Sequence, residues 1–217
     1  MGARNTGPKN ACLGRRAALF AGAVGLLASP LLVLAQADSP AATINTFDSA
    51  VLSIMKAGRQ TPFKQRYEML APAVERTFDL ETILRNSVGL SWSQLSPDQT
   101  ASLLDTFRRY TIASWVANFD SYSGEQFQVS SDLRRVGADV VVPSYLVARD
   151  GTKTELSYVM RQAPSGWKVV DVLADGSISR VAVQRSDFRS LLTSGGVTAL
   201  QASLQRKISS LSDGAIA

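Results

Sequence analysis

The sequence offers few residues that could carry out acid–base or nucleophilic chemistry. It contains no histidine, and its single cysteine is Cys12. A Ser-His-Asp triad, a Cys-His pair and most zinc sites each need one of these residue types, so those sites are excluded. Carboxylates are the common acid–base groups that remain. Two of them, Asp171 and Asp175, lie on a predicted strand and on the turn that follows it.

Asp171 and Asp175 are too far apart to form a carboxylate dyad. On a straight strand, at about 3.3 Å per residue, their Cα atoms would be roughly 13 Å apart. Asp175 precedes Gly176, a pair typical of a turn. Asp171 follows apolar positions and is the one serious candidate for a buried acid–base group. Because burying an unpaired carboxylate is costly, we expect it to form a structural ion pair with Arg185 or Arg189.

The polar residues after the turn predict no catalysis. Ser177 and Ser179 have neither a histidine nor an obvious lysine as a base, so neither is expected to act as a nucleophile. Arg185 and Arg189 are four residues apart and could bind an anionic head group bidentately. The alternative for this pair is an ordinary solvated helix face. We therefore predict no catalytic residue, no metal site and no cofactor.

The N-terminal residues have the pattern of a secretion signal. A basic segment precedes an uncharged apolar run over 17–34, and Ala-Gln-Ala over 35–37 fits a cleavage site. We expect a signal peptide over 1–37, exported by the Sec or twin-arginine route, and a mature periplasmic domain over 38–217. An uncleaved membrane anchor is the alternative, although the apolar run is short for a membrane span.

Removal of that segment leaves little net charge. The whole chain has 23 basic and 18 acidic residues, and the four charged residues before position 38 are all basic. Residues 38–217 thus carry 19 basic and 18 acidic residues, a net charge of +1. A nucleic-acid surface needs a concentrated basic field, so no nucleic-acid partner is predicted. The mature chain has no cysteine and must be stabilised by its own core.

The elements that position these residues begin with helices. Polar residues that can cap a helix precede apolar residues at helical spacing, and three of the four are followed by proline. They stand at Ser39, Thr61, Asp79 and Ser96. The fourth helix is expected to run to about Phe119. Its apolar face is wider than one flat contact needs, so it either packs on two sides or packs on one side and faces a cavity on the other.

The hydrophobic period changes to two in the middle of the chain. Four strands joined by short turns are predicted around Phe127, over 138–149, around Tyr158 and over 166–174. Pro143 cannot donate a ladder hydrogen bond, so its strand is expected at an edge or bulged there.

The fourth strand is apolar on both faces and needs cover on both. Simple alternation places Trp167, Val169 and Leu173 on one face. It places Val170, Val172 and Ala174 on the other.

The C-terminal part of the chain is predicted to be helical again. Ser186 is expected to cap a helix that Gly195-Gly196 interrupts, and an amphipathic helix follows. The order of helices, strand meander and helices predicts an α+β domain: a curved four-stranded antiparallel sheet packed with N-terminal and C-terminal helices.

The fourth strand and the turn after it carry a family resemblance. The pattern W-K-V-x-D over 167–171, the acidic-Gly-Ser turn and Q-R-x-x-F over 184–188 resemble the MlaC/Ttg2D family of periplasmic lipid-binding proteins. The run DGSISRVAVQRSDF over 175–188 is similar to its hopanoid-associated HpnM branch, where the broader family is expected to have E-G-V-S. The resemblance extends over about 41–211.

The resemblance implies a fold and a function. Lipid tails would lie between an NTF2-like cone, made by the sheet, and the surrounding helices, with the head group exposed. The protein would shuttle phospholipid or hopanoid between an inner-membrane transporter and an outer-membrane acceptor. The inner-membrane partner would be an MCE-type ABC transporter or an RND-type hopanoid transporter.

The lipid contacts implied by this resemblance come from apolar residues on the facing elements. Periodicity alone does not distinguish an ordinary filled core from a cavity. Two other functions stay open: a small-substrate isomerase or hydrolase that uses Asp171, and an adaptor with a filled core. The predicted lipid-binding residues are Phe47, Val51, Tyr67, Phe107, Tyr110, Trp115, Val142, Tyr145, Tyr158, Met160, Trp167, Val169 and Val172.

Overall fold

A computed structural model describes residues 39–216. The predicted signal peptide over 1–37 lies outside the described residues. The helices before the sheet are α1 (Pro40–Ala57), α2 (Phe63–Thr77), α3 (Leu80–Val88), a short 3-10 helix (Gly89–Gln94) and α4 (Pro97–Asn118). The strands are β1 (Gln126–Val129), β2 (Arg134–Val136), β3 (Asp139–Val147), β4 (Lys153–Ala163), β5 (Gly166–Ala174) and β6 (Ile178–Ser179). The last helix is α5 (Arg180–Leu211). No helix in the described range is long and apolar enough to cross a membrane.

Three of the four predicted helix starts are the observed caps. The Ser39 hydroxyl accepts from the Ala42 amide at 3.1 Å, and the Asp79 carboxylate accepts from the Thr82 amide at 2.9 Å. Ser96 forms a complete capping box with the residue three positions on. The Thr61 prediction is wrong, because Pro62 occupies the cap position without a side-chain bond and the Thr61 hydroxyl donates back to the Ala57 carbonyl.

The α+β class is confirmed, with an open antiparallel sheet of six strands instead of four. The strand order is β1-β3-β4-β5-β6, and β2 pairs with β3 beside β1. The two strands that were not predicted, β2 and β6, have only three and two residues. Segments this short contain too few positions to show an alternating pattern.

Pro143 lies in an interior strand, not at an edge. β3 pairs with β4 along its length, while β1 and β2 share its other side. The Pro143 carbonyl accepts from the Ser130 amide at 2.8 Å, in the gap between β1 and β2. The N and C=O of a strand residue point to the same side, so the missing N–H faces this gap and no ladder bond to β4 is lost.

A β-bulge corrects the predicted faces of β5. The register pairs Met160 with Val169 but Tyr158 with Val172, which leaves Val170 as the extra residue. Met160 and Tyr158 share one face of β4, so Val169 and Val172 share the inner face of β5. Strict alternation placed these two valines on opposite faces. The bulge also adjoins a junction with the helices, where the Asp79 amide donates to the Val169 carbonyl at 2.9 Å.

The C-terminal helix begins seven residues before the predicted start. Ser179, not Ser186, is its N-cap and accepts from the Ala182 amide at 2.9 Å. The helix bends where the glycine pair was predicted to interrupt it. Gly195 and Gly196 have non-helical dihedral angles, and Gly196 has a positive φ of 63°. Helical structure resumes after the pair and ends at Leu211.

The core packs α1 against the inner face of the sheet. Phe47 is fully buried, and its ring contacts Phe78, Trp115 and Tyr158 edge-on at centroid distances of 5.0, 4.9 and 6.1 Å. Such pairs stabilise beyond the area that they bury. The neighbouring residue on α1, Asp48, is a carboxylate that is only 2% exposed.

Asp48 joins α1 to two strands at once. Its carboxylate accepts from the Ser144 hydroxyl on β3 at 2.7 Å and, more weakly, from the Tyr158 hydroxyl on β4 at 3.3 Å. Burial raises its pKa from 3.8 to about 7, and the two hydrogen bonds offset only part of that effect. The folded protein therefore binds a proton at Asp48 in a pH range where the unfolded chain has released it.

Asp48 should make stability fall as the pH rises. Its folded pKa lies above its unfolded value, so its favourable contribution is complete below about pH 4 and is lost as the pH rises through about 7. Between pH 4 and pH 8, the free energy of unfolding of the wild type should fall by up to about 4 kcal/mol relative to that of Asp48→Asn. Urea unfolding of both proteins at the two pH values measures this difference. The exposed Asp132→Asn variant is the control, and an Asp48→Asn protein with the wild-type pH profile would contradict the assignment.

Candidate functional site

A pocket of about 330 Å³ lies between α4, the inner face of β4 and β5, and the start of α5. This volume is at the lower end of the range typical of small-molecule sites, about 300–1,000 Å³. Its apolar wall consists of Phe78, Ile83, Phe107, Tyr110, Trp115, Phe119, Leu156, Val172, Ala174 and Val181. Its polar lining consists of Thr111, Ser114, Asn118, Asp171, Arg180 and Gln184.

One face of α4 supplies the longest wall of the pocket. Its lining positions recur over four turns, at 107, 110–111, 114–115 and 118–119. The helix also buries Leu103, Ile112 and Val116 in the core. This arrangement is the second of the two predicted from the broad apolar face: α4 packs on one side and faces a cavity on another. Thr111 and Ser114 are too small to fill the space between the aromatic turns.

Aromatic rings stiffen the wall where α4 ends. Trp115 stacks on Phe119 with ring centroids 5.2 Å apart and an angle of 20° between the planes. The Phe47 ring contacts Trp115 edge-on, and the Phe107 ring contacts Phe188 of α5 edge-on at 6.4 Å. These rings contact one another, which stabilises the wall beyond the area that they bury.

The sheet side of the pocket comes from the two central inner-face strands. Leu156 on β4 pairs with Ala174 on β5, and Val172 pairs with the buried Tyr158. The β5 bulge sets this register and turns Val172 inward. All the sheet residues that line the pocket, apart from Asp171, are apolar.

Asp171 has a structural role that differs from the predicted ion pair. Its carboxylate accepts from the Ser179 hydroxyl, the Val181 amide at 3.1 Å and the Val172 amide at 2.8 Å. Among residues 39–216, Asp171 forms no ion pair with an arginine. The carboxylate instead satisfies donors at the start of α5, as the N-cap Ser179 also does.

The other polar lining residues are partly engaged. Asn118 donates to the Ser114 carbonyl at 2.7 Å, and Gln184 accepts from the Ser87 hydroxyl at 3.1 Å. Arg180 is exposed, and its guanidinium forms neither a hydrogen bond nor an ion pair with any residue of the described chain. The pocket thus combines apolar walls with one cation that is available to an anionic ligand group.

The structure brings four of the thirteen predicted lipid-binding residues into the pocket: Phe107, Tyr110, Trp115 and Val172. Six others are buried in the core outside the pocket lining, namely Phe47, Val51, Val142, Tyr158, Met160 and Val169. Tyr67, Tyr145 and Trp167 are partly buried elsewhere. Lipid contact stays a prediction for all thirteen.

Several lining residues were not predicted. The helical spacing of α4 would have indicated Thr111, Ser114 and Asn118, had small and polar residues been considered together with aromatic ones. Phe78 and Val181 carry no such signal. They reach the pocket because the α2–α3 junction and the start of α5 are both fixed to β5.

Comparison with known proteins identifies the family. The MlaC protein family matches residues 45–206 of the chain. The chain belongs to the MlaC family. This range lies within the resemblance predicted over about 41–211, so the family assignment is confirmed, while the HpnM branch stays a prediction. No protein of curated function matches the chain significantly.

A solved structure with low sequence identity has the same fold. The phospholipid-binding protein from Ralstonia solanacearum, solved in complex with a phospholipid, is similar with a TM-score of 0.70 and 22% sequence identity. The match covers 80% of this chain and 98% of the Ralstonia protein. The likeness confirms the arrangement of an antiparallel sheet and surrounding helices.

Asp171→Ala should destabilise the folded protein, because the Asp171 carboxylate has a structural role. The change removes the acceptor of the Ser179 hydroxyl and the Val181 amide, which should lower the free energy of unfolding by about 1–3 kcal/mol. Urea unfolding measures the loss. Asp187→Ala, at an exposed site on the same helix, is the matched control and should change stability by less than about 0.5 kcal/mol. If Asp171→Ala is as stable as that control, the carboxylate does not secure the start of α5.

Proposed function

We propose that this MlaC family member is a periplasmic lipid carrier. It would be exported by the signal peptide over 1–37, and residues 38–217 would form a single lipid-binding domain. The observation that carries the proposal is the apolar pocket between α4 and the sheet, with the unpaired Arg180 among its lining residues. The phospholipid complex of the Ralstonia protein, which has the same fold, supports phospholipid as the ligand class.

The mechanism is the removal of acyl chains from water. Each methylene group exposed to water costs about 0.8 kcal/mol, so one 16-carbon chain costs about 12 kcal/mol in an aqueous compartment. A carrier lowers this barrier by offering an apolar wall throughout the transfer. We propose that it receives lipid from, or delivers it to, an inner-membrane MCE-type ABC transporter and an outer-membrane acceptor.

The charge in the pocket lining favours a phospholipid over a neutral ligand. A phosphate group could pair with the Arg180 guanidinium, which has no protein partner in the described chain. A hopanoid with a neutral, hydroxylated head group would leave this cation unpaired. Hopanoid transport with an RND-type transporter remains the second candidate because the run from Asp175 to Ser179 is similar to the HpnM branch.

The enzyme and adaptor alternatives have less support. Asp171 has both carboxylate oxygens occupied by donors at the start of α5, and Ser179, whose hydroxyl is one of these donors, does not line the pocket. An adaptor with a filled core does not need the cavity beside α4. Lipid binding uses the apolar walls, the cavity and the cation together.

Filling the cavity should abolish lipid binding. Ser114→Trp places an indole in the space beside Trp115, so the mature protein should co-purify with far less lipid than the wild type, as measured by mass spectrometry of extracts. Ser49→Trp, at an exposed position on α1, is the matched control and should retain lipid. Circular dichroism establishes that both variants are folded. A folded Ser114→Trp protein with wild-type lipid content would contradict the location of the site.

Arg180→Gln should change which lipid is bound. Loss of the cation should weaken phospholipid binding several-fold, since a hydrogen bond to a charged group is worth about 1.5–3 kcal/mol and exposure reduces that value. Uptake of a fluorescent phospholipid and of a neutral diacylglycerol should be compared, and only the first should fall. Arg206→Gln on the same helix is the control. Equal losses for the two lipids would contradict a phosphate contact at Arg180.

A further inference from the structure

A second groove lies on the other flank of α5, beside the end of α3 and the 3-10 helix. Its volume is about 350 Å³. The residues used in the argument are Gly89, Leu90, Ser91, Arg185, Arg189 and Thr193, all of which line it. The groove adjoins the lipid pocket along the helix, because Gln184 lines the pocket and Arg185 lines the groove.

The groove holds two cations in a fixed relation to the backbone. Arg185 and Arg189 lie one turn apart on α5. A Cβ atom at Gly89 would approach the Arg185 guanidinium to 3.2 Å, so this side chain lies against the backbone at the end of α3. The positive φ of Gly89, 69°, is a conformation in which other residues are strained.

Neither guanidinium is neutralised by the described part of the protein. Arg185 and Arg189 form no ion pair or hydrogen bond with residues 39–216, and none of the residues that line the groove is acidic. Two guanidinium groups on one side of a helix present several N–H donors to the same volume. This chemistry fits a phosphate group.

Leu90 protrudes beside the two arginines. It is 89% exposed, whereas the other exposed large apolar residues are between 39% and 59% exposed. An apolar side chain that projects into water next to cations is typical of surfaces that contact the lipid–water interface. The residues around it, Ser91, Ser93 and Thr193, are small and polar.

We propose that Leu90 and the groove with Arg185 and Arg189 form a membrane-docking face that binds the phosphates of anionic phospholipids. The arginines would pair with head groups while Leu90 enters the boundary with the acyl chains. A protein partner is less favoured, because a specific protein interface buries about 800 Å² on each side around an apolar centre. Here Leu90 is the one strongly exposed apolar side chain of the groove, since Val88 is buried and Leu192 is partly buried.

The proposed contact with the membrane is expected to be weak and reversible. Two basic residues near an anionic surface and one inserted leucine give reversible binding that salt screens. A carrier must leave each membrane after it has arrived, and reversible docking permits this. The face is independent of the lipid pocket, because none of the pocket-lining residues belongs to the groove.

Vesicle flotation with the full mature protein tests the proposal. The wild type should bind vesicles of phosphatidylglycerol and phosphatidylcholine, bind less at high salt, and bind pure phosphatidylcholine weakly. The double variant R185Q/R189Q should bind the anionic vesicles about tenfold or more weakly. Leu90→Ser should bind them several-fold more weakly. Arg206→Gln, which removes one charge from the same helix outside the groove, should behave as the wild type does.

Two outcomes would overturn the membrane assignment. One is a double variant that binds anionic vesicles as tightly as the wild type and Arg206→Gln. The other is a wild type that binds neither vesicle, in which case an acidic protein surface becomes the partner class for this groove. Mass spectrometry of co-purified lipid separates this test from the carrier proposal, because R185Q/R189Q and Leu90→Ser should retain the wild-type lipid content.

Discussion

The buried contact between α1 and the sheet determines where this protein can have an empty interior. Asp48 lies on the buried face of α1 and needs donors, because an unpaired buried carboxylate carries a large desolvation cost. Ser144 and Tyr158 supply them from adjacent strands, so α1 cannot slide or rotate without losing both. The adjacent Phe47 then fills the space between Phe78, Trp115 and Tyr158. One part of the interior is therefore closed and rigid.

The remaining part stays open because its three walls are fixed independently. α4 is held by its buried side, and its Trp115 is supported by Phe47. β5 is held in the sheet and, at Val169, by the backbone of the α2–α3 junction. The start of α5 is fixed by Asp171 and Ser179 at the sheet margin and cannot collapse onto the inner face. The cavity thus lies between three walls that are each secured by contacts outside it.

The sequence was sufficient for features that depend on neighbouring residues. The caps at Ser39, Asp79 and Ser96 were predictable because each side chain bonds an amide three positions away. The position of Asp48 on the apolar stripe with Ile44 and Val51 also carried a signal, since a single carboxylate on such a stripe requires buried partners.

Features that depend on register or distant contacts were not predictable. The bulge at Val170 moves Val172 from the outer face predicted by alternation to the inner face of β5. The hydrophobic pattern of the strand does not indicate this bulge. The helix start at Ser179 depends partly on Asp171, eight residues earlier and on another element. The site prediction favoured large apolar side chains, and nine of the thirteen lie outside the pocket lining. A cavity instead requires small residues such as Thr111 and Ser114 between large ones, and periodicity does not separate these two uses.

The glycine pair in α5 separates two halves of the helix that have different neighbours. Beyond it, Leu200 and Leu204 are buried, and Gln201 donates to Ser102 and Thr106 of α4. Before it, α5 lines the ligand space. A side chain at position 195 would collide with Ala199 at 2.7 Å, and position 196 has a backbone conformation suited to glycine. The backbone torsions of these two glycines therefore set the angle between a half that is attached to the sheet margin through Asp171 and a half that packs on α4.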